Sequence, residues 1–408
     1  MARLERLAER LDLKEFQLRA LLDITKAINN NLGRRELLRL YEDITREQLG
    51  ISRLMLFERT DAWKCVLSYG ASPDEIGPEA ARLFSEVRDI RVIAPDDPRL
   101  FTGFDVAVPV FHLDRPLAFL LIGDLQDEER HMSPTVKHLN FIQTLTNLIV
   151  VALENKRLLR QALQQERDRR ELELAAEMQS MLIPTDLPRD ERIEAAAWYL
   201  PHRQVGGDYY DLIVTTPDER VIAIADVSGK GMAAALLMSN FQATLRALLQ
   251  YTEEPLDELV HDLNDKVFVN ARGERFVTLF LGRLDLRTGL MRYVNAGHNA
   301  PLLHHGGKVQ ELTTGCIGLG MLEKLPFLQV GEVTLPRGST LLCYTDGLVE
   351  QEDSREEPFG TQPLRKALTE FSLAGAEALN SAIIGAFEAH RAGLPYLDDI
   401  ALLTCCLR

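Results

Sequence analysis

Hydrophobic and polar positions follow two kinds of pattern along the chain, one typical of helices and one typical of strands. From about residue 13 to 49, apolar residues recur every three or four positions, which predicts two helices, 13–30 and 34–49. Short apolar runs bounded by turn residues then predict strands. They lie at 52–60, 65–70, 104–113 and 115–125, with a helical pattern at 78–88 and a long helix from near Ser133. The first 150 residues therefore predict an α/β domain closed by a helix.

The stretch 134–183 predicts one nearly continuous helix. A seam of small and large apolar residues follows three- and four-residue steps, at Leu148, Ala152, Leu159, Ala162, Leu172, Ala176 and Leu182. Such spacing favours a two-stranded coiled coil, although the charged centre QQERDRRELE also suits a solvated single helix. Pro184 and Pro188 predict where the helix ends.

The remaining residues alternate strand groups with helix pairs. Eight strands are predicted, at 192–200, 208–215, 220–227, 276–286, 290–297, 327–335, 339–346 and 399–407. Two helices precede the fourth strand and two more precede the last. This order predicts stacked antiparallel sheets with helices outside. The whole chain is thus expected to be α+β, with domains at 1–150 and 186–408 and a helical linker at 151–185.

Composition narrows the class of protein. A formal net charge of −15 argues against nucleic acid or anionic membrane as the main partner. No apolar run is expected to span a membrane. The five cysteines lack paired metal-ligand spacing, and Cys405 and Cys406 are adjacent, which suits neither zinc nor an ordinary disulfide. A reducing, cytoplasmic setting is therefore expected.

Acidic residues lie where the predicted strands of the last segment end. They are Asp208 in GGDYYD, Asp226 in ADVSGKG, Asp346 in CYTDGLVE and the pair Asp398–Asp399 in YLDDIALL. Converging carboxylates repel one another unless a cation lies between them, and all-oxygen ligation favours hard ions such as Mg²⁺ or Mn²⁺. The pattern predicts a metal-dependent hydrolase.

Six motifs in and just before the last segment together resemble those of a known protein family. MQSMLIP, VGGDYYD, ADVSGKGMAAAL, NAGHNAP, YTDGLVE and LDDIALL resemble the PPM-type serine/threonine phosphatases, in the SpoIIE/RsbU-like bacterial branch. The resemblance implies an αββα sandwich with a site for two Mn²⁺ or Mg²⁺ ions. The element order of the first 150 residues resembles a GAF sensor domain for an unknown small ligand or protein, with PAS as the nearest rival.

The resemblance also implies roles for individual residues. The implied metal ligands are Asp208, Asp226, the backbone carbonyl of Val227, Asp346 and Asp398, with Asp399 as the alternative to Asp398 and Asp211 as a contact through water. The His that some relatives place after the bridging aspartate is absent, and Ser228 and Lys230 occupy the loop. Lys230 is then either a group that steadies phosphate or a solvated loop charge. His298 is interpreted as a hydrogen-bonded turn residue.

The end of the linker matches the family's regulatory helix. Gln179, Met181 and Leu182 are the expected regulatory residues. Gln179 is expected to bond to the helix after Asp226, and Met178, Met181 and Leu182 are expected to supply adaptable apolar packing. The expected protein is a cytoplasmic homodimer in which the sensor controls dephosphorylation of a STAS-domain anti-anti-sigma factor. The alternative is a catalytically weak scaffold of the same fold. A diguanylate cyclase and a P-loop nucleotide site are excluded, because Tyr–Tyr follows GGD and no Ser or Thr follows Lys230.

Overall fold

The chain forms two compact units, Met1–Glu166 and Arg167–Arg408. The computed structural model describes residues 2–76, 87–93, 103–112, 114–123, 134–251 and 254–408. The helix predicted at 78–88 lies almost wholly outside the described residues.

The described part of the N-terminal unit is an antiparallel sheet between two apolar layers. Its helices are α1 (Ala2–Asn29) and α2 (Arg34–Glu42), followed by a π-helical turn, Asp43–Gln48, and a 3₁₀ turn at Pro73–Glu75. Its strands are β1 (Arg53–Arg59), β2 (Trp63–Tyr69), β3 (Arg91–Val92), β4 (Val106–His112) and β5 (Arg115–Gly123), in the order β2-β1-β5-β4-β3. One sheet face packs on the helices, and the other carries a second cluster around Phe57 and Phe119.

A single helix, α3 (Pro134–Ser180), runs across the boundary between the two units. Its first part, including Ile142 and Ile149, is buried in the core of the N-terminal unit. Beyond this part the seam opens to solvent, and Leu159 is 61% exposed. The helix is continuous, and the structure contains one copy of the chain, so the coiled coil stays a prediction.

The C-terminal unit has two sheets and five helices within the described residues. The first sheet holds β7 (Tyr209–Thr216), β8 (Glu219–Val227), β9 (Val277–Asp285), β10 (Leu290–Ala296), β13 (Gly315–Cys316) and β14 (Gly331–Thr334). The second holds β6 (Ile193–Leu200), β11 (Leu302–His305), β12 (Lys308–Glu311), β15 (Thr340–Tyr344) and β16 (Ile400–Leu407). The helices are α4 (Met232–Tyr251), α5 (Leu256–Ala271), α6 (Asp346–Val349), α7 (Gln362–Phe371) and α8 (Ala376–Arg391).

Strand β16 shows how the layers form. Successive side chains of a strand point to opposite faces. Accordingly, Leu403 and Cys405 pack into the core shared with the first sheet, whereas Ile400 and Leu402 pack against α7 and α8. Because both faces are covered, the strand is apolar at nearly every position instead of alternating. With α4 and α5 on the outer face of the first sheet, the unit is a four-layered α/β sandwich.

Two features of the C-terminal unit differ from what the sequence predicts. The hairpin of β11 and β12 was not predicted, although its turn Gly306–Gly307, with φ of 57° and 77°, is the glycine pair that favours a tight hairpin. A helix of membrane-spanning length was not expected either, yet Met232–Tyr251 meets that criterion by length and composition. This helix buries one side in the sandwich, including Met238 and Phe241, as a core helix does.

Candidate metal centre in the C-terminal unit

The sheet topology brings four predicted aspartates to one end of the sandwich. Asp208 directly precedes β7, and Asp226 is the penultimate residue of β8, the antiparallel neighbour of β7. Asp346 follows β15, and Asp398 lies just before β16, the antiparallel neighbour of β15. Antiparallel pairing places the start of one strand beside the end of the next. Each sheet therefore contributes two carboxylates.

Electrostatic interactions show that these carboxylates form one cluster. Burial raises the pKa of Asp208 well above its usual range, and the charge of Asp226 raises it further. Burial and then the charge of Asp346, on the other sheet, raise the pKa of Asp226 to about 7. Burial and then Asp398 raise the pKa of Asp346. Each carboxylate thus disfavours ionisation of its neighbours, as expected of a site that a cation completes.

The two neighbouring aspartates before β16 have different surroundings. Asp399 is 5% exposed, and its Oδ1 and Oδ2 accept hydrogen bonds from the backbone N–H groups of His202 (2.7 Å) and Gly207 (2.6 Å). Asp398 is more exposed, and its Oδ2 lies 2.7 Å from the ammonium of Lys230. Both oxygens of Asp399 are therefore occupied by backbone donors, and Asp398 is the one that faces the cluster and solvent.

Glycines allow the backbone to approach the carboxylates closely. A Cβ at Gly207 would lie 3.0 Å from the carbonyl oxygen of Val227, so this oxygen faces the loop before Asp208. A Cβ at Gly347 would collide with the backbone oxygen of Asp399. The carbonyl of Val227, the backbone ligand predicted from the sequence, thus lies beside this loop.

Asp211, the predicted contact through water, is placed elsewhere. Its Oδ2 accepts hydrogen bonds from the Tyr209 hydroxyl (2.5 Å) and from Nε of Arg246 on α4 (2.7 Å). Asp211 is buried. Burial of Tyr209 and, as the second cause, the charge of Asp211 raise the pKa of that tyrosine. Asp211 ties α4 to β7, and we leave it out of the ligand set proposed below.

The donor set fits a hard divalent cation by its chemistry, since every candidate ligand atom is oxygen. Among the described residues, however, no group of three His, Cys, Asp or Glu side chains has a geometry that could hold a metal ion. Three of the four candidate carboxylates have other partners. Asp226 shares a hydrogen bond with Asp208, which also accepts one from the Thr345 hydroxyl (2.7 Å), and Asp398 pairs with Lys230. A bound metal ion would replace these partners.

Comparisons with known proteins place the C-terminal unit in a family. Residues 216–408 match the family model for Stage II sporulation protein E (SpoIIE). The C-terminal unit belongs to the SpoIIE family. The match contains Asp226, Asp346 and Asp398, whereas Asp208 lies just before it.

Individual relatives agree with this assignment of the SpoIIE-family domain. The chain is 28% identical to Protein IcfG of Synechocystis over 72% of its length and 29% identical to Phosphoserine phosphatase RsbU of Bacillus subtilis over 51%. It spans 50% and 62% of the lengths of these two relatives. The SiaA-PP2C domain of Pseudomonas aeruginosa covers 60% of this chain and 99% of its own, with a TM-score of 0.54 at 20% identity. The fold is therefore that of PP2C phosphatases.

The loop after Asp226 in the SpoIIE-family domain is fixed from both sides. The Ser228 hydroxyl accepts a hydrogen bond from the backbone N–H of Phe276 (2.9 Å), and the guanidinium of Arg275 donates to the Ser228 carbonyl (2.7 Å). Lys230 also donates to the carbonyl of Leu397 (2.7 Å). No pattern in the sequence indicates Arg275 or Thr345 as supporting residues, because their partners are distant along the chain.

His298 lies beneath the cluster. Its backbone N–H donates to Asn295 (2.8 Å), and its Nδ1 lies 2.9 Å from the hydroxyl of Thr278, which also donates to the carbonyl of Asp226 (3.4 Å). Burial lowers the pKa of His298 to about 4, so the imidazole is neutral near pH 7. These bonds agree with the interpretation of His298 as a hydrogen-bonded turn residue.

The end of α3 contacts the domain differently from the prediction. Gln179 forms a pair of hydrogen bonds with Gly206, donating to its carbonyl (2.6 Å) and accepting from its N–H (3.1 Å), instead of bonding to α4. The carbonyl of Leu182 accepts a hydrogen bond from Gln242 of α4 (3.4 Å). Met178 and Met181 are 72% and 80% exposed, so these two methionines do not supply the expected apolar packing in the single chain, whereas Leu182 is partly buried.

Proposed function

We propose that the SpoIIE-family domain is a metal-dependent phosphatase acting on phosphoserine or phosphothreonine in a folded protein. The observation that carries this proposal is the placement of four carboxylates, two from each sheet, at one end of a domain with the PP2C fold. The similarity to RsbU, named a phosphoserine phosphatase, supports the reaction class. A scaffold without activity has no need of carboxylates that destabilise one another.

The proposed ligands are Asp208, Asp226, Asp346, Asp398 and the Val227 carbonyl, holding two Mn²⁺ or Mg²⁺ ions. Such ions, when bound, supply hydroxide near neutral pH and neutralise phosphate oxygens. The residues of this chain position the donors. Thr345 orients Asp208, and Asp399 accepts from the N–H of Gly207 and so fixes the loop directly before Asp208. Arg275 fixes the loop after Asp226.

The regulatory part of the proposal follows from the family resemblance. The N-terminal unit is proposed to be a GAF-like sensor for an unknown small ligand or protein, and α3 is proposed to pair with a second copy in a cytoplasmic homodimer. The substrate is proposed to be a phosphorylated STAS-domain anti-anti-sigma factor. The exposed leucines of α3 and the bond from Gln179 to Gly206 support a link from this helix to the site.

The test is dephosphorylation by the full chain with Mn²⁺, using a phosphoserine-bearing STAS protein and a phosphotyrosine peptide. We expect turnover of the first, little of the second, and loss of activity in excess EDTA that Mn²⁺ restores. Asp226→Asn should lower activity on the order of 100-fold, equivalent to about 3 kcal/mol of transition-state stabilisation. Its fold should persist, because the substitution relieves repulsion among the carboxylates.

Three results would contradict the proposal. Full activity in excess EDTA would exclude the metal mechanism, and a preference for phosphotyrosine would exclude the substrate class. Tight binding of the phosphoprotein without turnover in saturating Mn²⁺ would favour the scaffold.

A further inference from the structure

Lys230 places a cation of the chain itself at the carboxylate cluster. Its ammonium lies 2.7 Å from Oδ2 of Asp398 and donates to the carbonyl of Leu397 at 2.7 Å. Burial and then Asp398 raise the pKa of Asp346, and the charge of Lys230 opposes that rise. Lys230 is therefore the partner of one candidate ligand and lies within electrostatic reach of a second.

The backbone around Lys230 keeps it at this position. Gly229 and Gly231 have φ of 90° and 76°, a left-handed conformation that favours glycine and turns the loop sharply on both sides of Lys230. The guanidinium of Arg275 packs where a side chain of residue 229 would lie, and it holds the Ser228 carbonyl. The lysine thus extends from an anchored loop across to the residues before β16.

The ion pair of Lys230 with Asp398 limits how another cation can bind Asp398. Oδ1 of Asp398 accepts a hydrogen bond from the N–H of Asp399 (2.9 Å), so Oδ2 is the oxygen left for a cation, and Lys230 occupies it. The pair is partly exposed, with 44% and 35% of the two side chains accessible. Partly exposed ion pairs are weak enough to exchange.

We propose that Lys230 is a tethered counterion of the candidate metal centre and competes with the divalent cation for Asp398. This inference rests on the metal site of the proposed function. In the metal-free protein Lys230 offsets the negative charge of the cluster, and it must leave Asp398 for the carboxylate to ligate metal. Lys230 accordingly weakens metal binding and stabilises the metal-free domain.

The experiment compares Mn²⁺ binding, measured by calorimetry, in the full-length wild type and Lys230→Gln. We expect Lys230→Gln to bind Mn²⁺ about three- to fivefold more tightly, as loss of a partly exposed ion pair allows. Its melting temperature without metal should fall, and the rise on adding Mn²⁺ should be larger than in the wild type. Lys230→Arg keeps the charge and should bind Mn²⁺ within about twofold of the wild type.

Two controls separate this effect from a general change of charge. Lys366→Gln removes an exposed lysine of α7 and should leave Mn²⁺ affinity unchanged. In an Asp398→Asn background, Lys230→Gln should no longer tighten binding, because the competition acts through Asp398. Equal or weaker Mn²⁺ binding by Lys230→Gln would overturn the inference alone. A wild type that binds no Mn²⁺ would overturn the proposed function as well.

Discussion

At the scale of single residues, adjacent aspartates have separate tasks. Asp399 is buried and accepts two backbone hydrogen bonds, from His202 and Gly207, which lie almost 200 positions earlier in the chain. Asp398 is half-exposed and carries an exchangeable ion pair. The first therefore supports the loop before Asp208, whereas the second is suited to ligation.

Substituting each of these aspartates by asparagine should give opposite results. Asp399→Asn leaves one amide oxygen to accept two N–H groups, so we expect a loss of about 1–3 kcal/mol in the free energy of unfolding. Asp398→Asn should leave that free energy nearly unchanged, because loss of the Lys230 ion pair is offset by relief of the repulsion from Asp346, and it should remove most turnover. Urea unfolding without metal and turnover per folded molecule would measure both. A stable, inactive Asp399→Asn beside an active Asp398→Asn would reverse the assignment.

At the scale of elements, the end of α3 meets the loop that precedes the first candidate ligand. The buried amide of Gln179 satisfies both the N–H and the carbonyl of Gly206, two residues before Asp208. A second contact joins Leu182 to α4, the helix that follows the Asp226 loop. A shift of α3 would therefore reach both strands of the first sheet that carry carboxylates.

Removing the Gln179 amide should uncouple α3 from the site. Gln179→Ala leaves Gly206 without its partner, and we expect apparent Mn²⁺ affinity or turnover per folded molecule to fall about 5- to 10-fold. Ser180→Ala is the matched control, because the hydroxyl of Ser180 donates to the carbonyl of Glu177 within its own helix and has no other bond among the described residues.

Met181 tests the alternative that α3 acts through apolar packing. Because Met181 is 80% exposed, Met181→Asp should match the wild type unless a second chain covers it.

A different result would contradict the prediction for Gln179. A loss of stability in Gln179→Ala with unchanged Mn²⁺ affinity and turnover would show that the contact of Gln179 with Gly206 only packs the helix.

At the scale of the whole molecule, one helix belongs to both compact units. The boundary falls between Glu166 and Arg167, inside the charged stretch of α3. Leucines before that boundary are exposed in the single chain, Leu159 by 61% and Leu163 by 54%. Exposed leucines at helical spacing favour a second helix as the partner.

We expect the chain to be dimeric and Leu159→Asp to shift it to monomer, because a charge in the seam opposes pairing. Light scattering after size-exclusion chromatography would measure the mass. Gln161→Asp, on another side of the helix, should remain dimeric. A monomeric wild type would contradict the predicted coiled coil.

The sequence by itself determined the local elements of the C-terminal unit and the residues of the candidate site. Alternating or continuous apolar runs predicted the strands of the C-terminal unit to within a few residues. The reason is that a strand with one buried face has apolar residues at alternate positions, and a strand with two buried faces has them at nearly every position. The hairpin at Gly306–Gly307 was missed because its strands are only four residues long. The aspartates were recognisable because each lies at the end of such a run.

Only the tertiary structure decided what each polar group contacts. Periodicity could not separate Asp398 from Asp399, direct Gln179 to Gly206 instead of α4, or pair Lys230 with Asp398. Each of these contacts joins residues far apart in sequence, and their geometry depends on how two sheets and their loops meet. The physical reason is that a hydrogen bond or ion pair is set by distance and direction in space, which the order of residues along a strand does not contain.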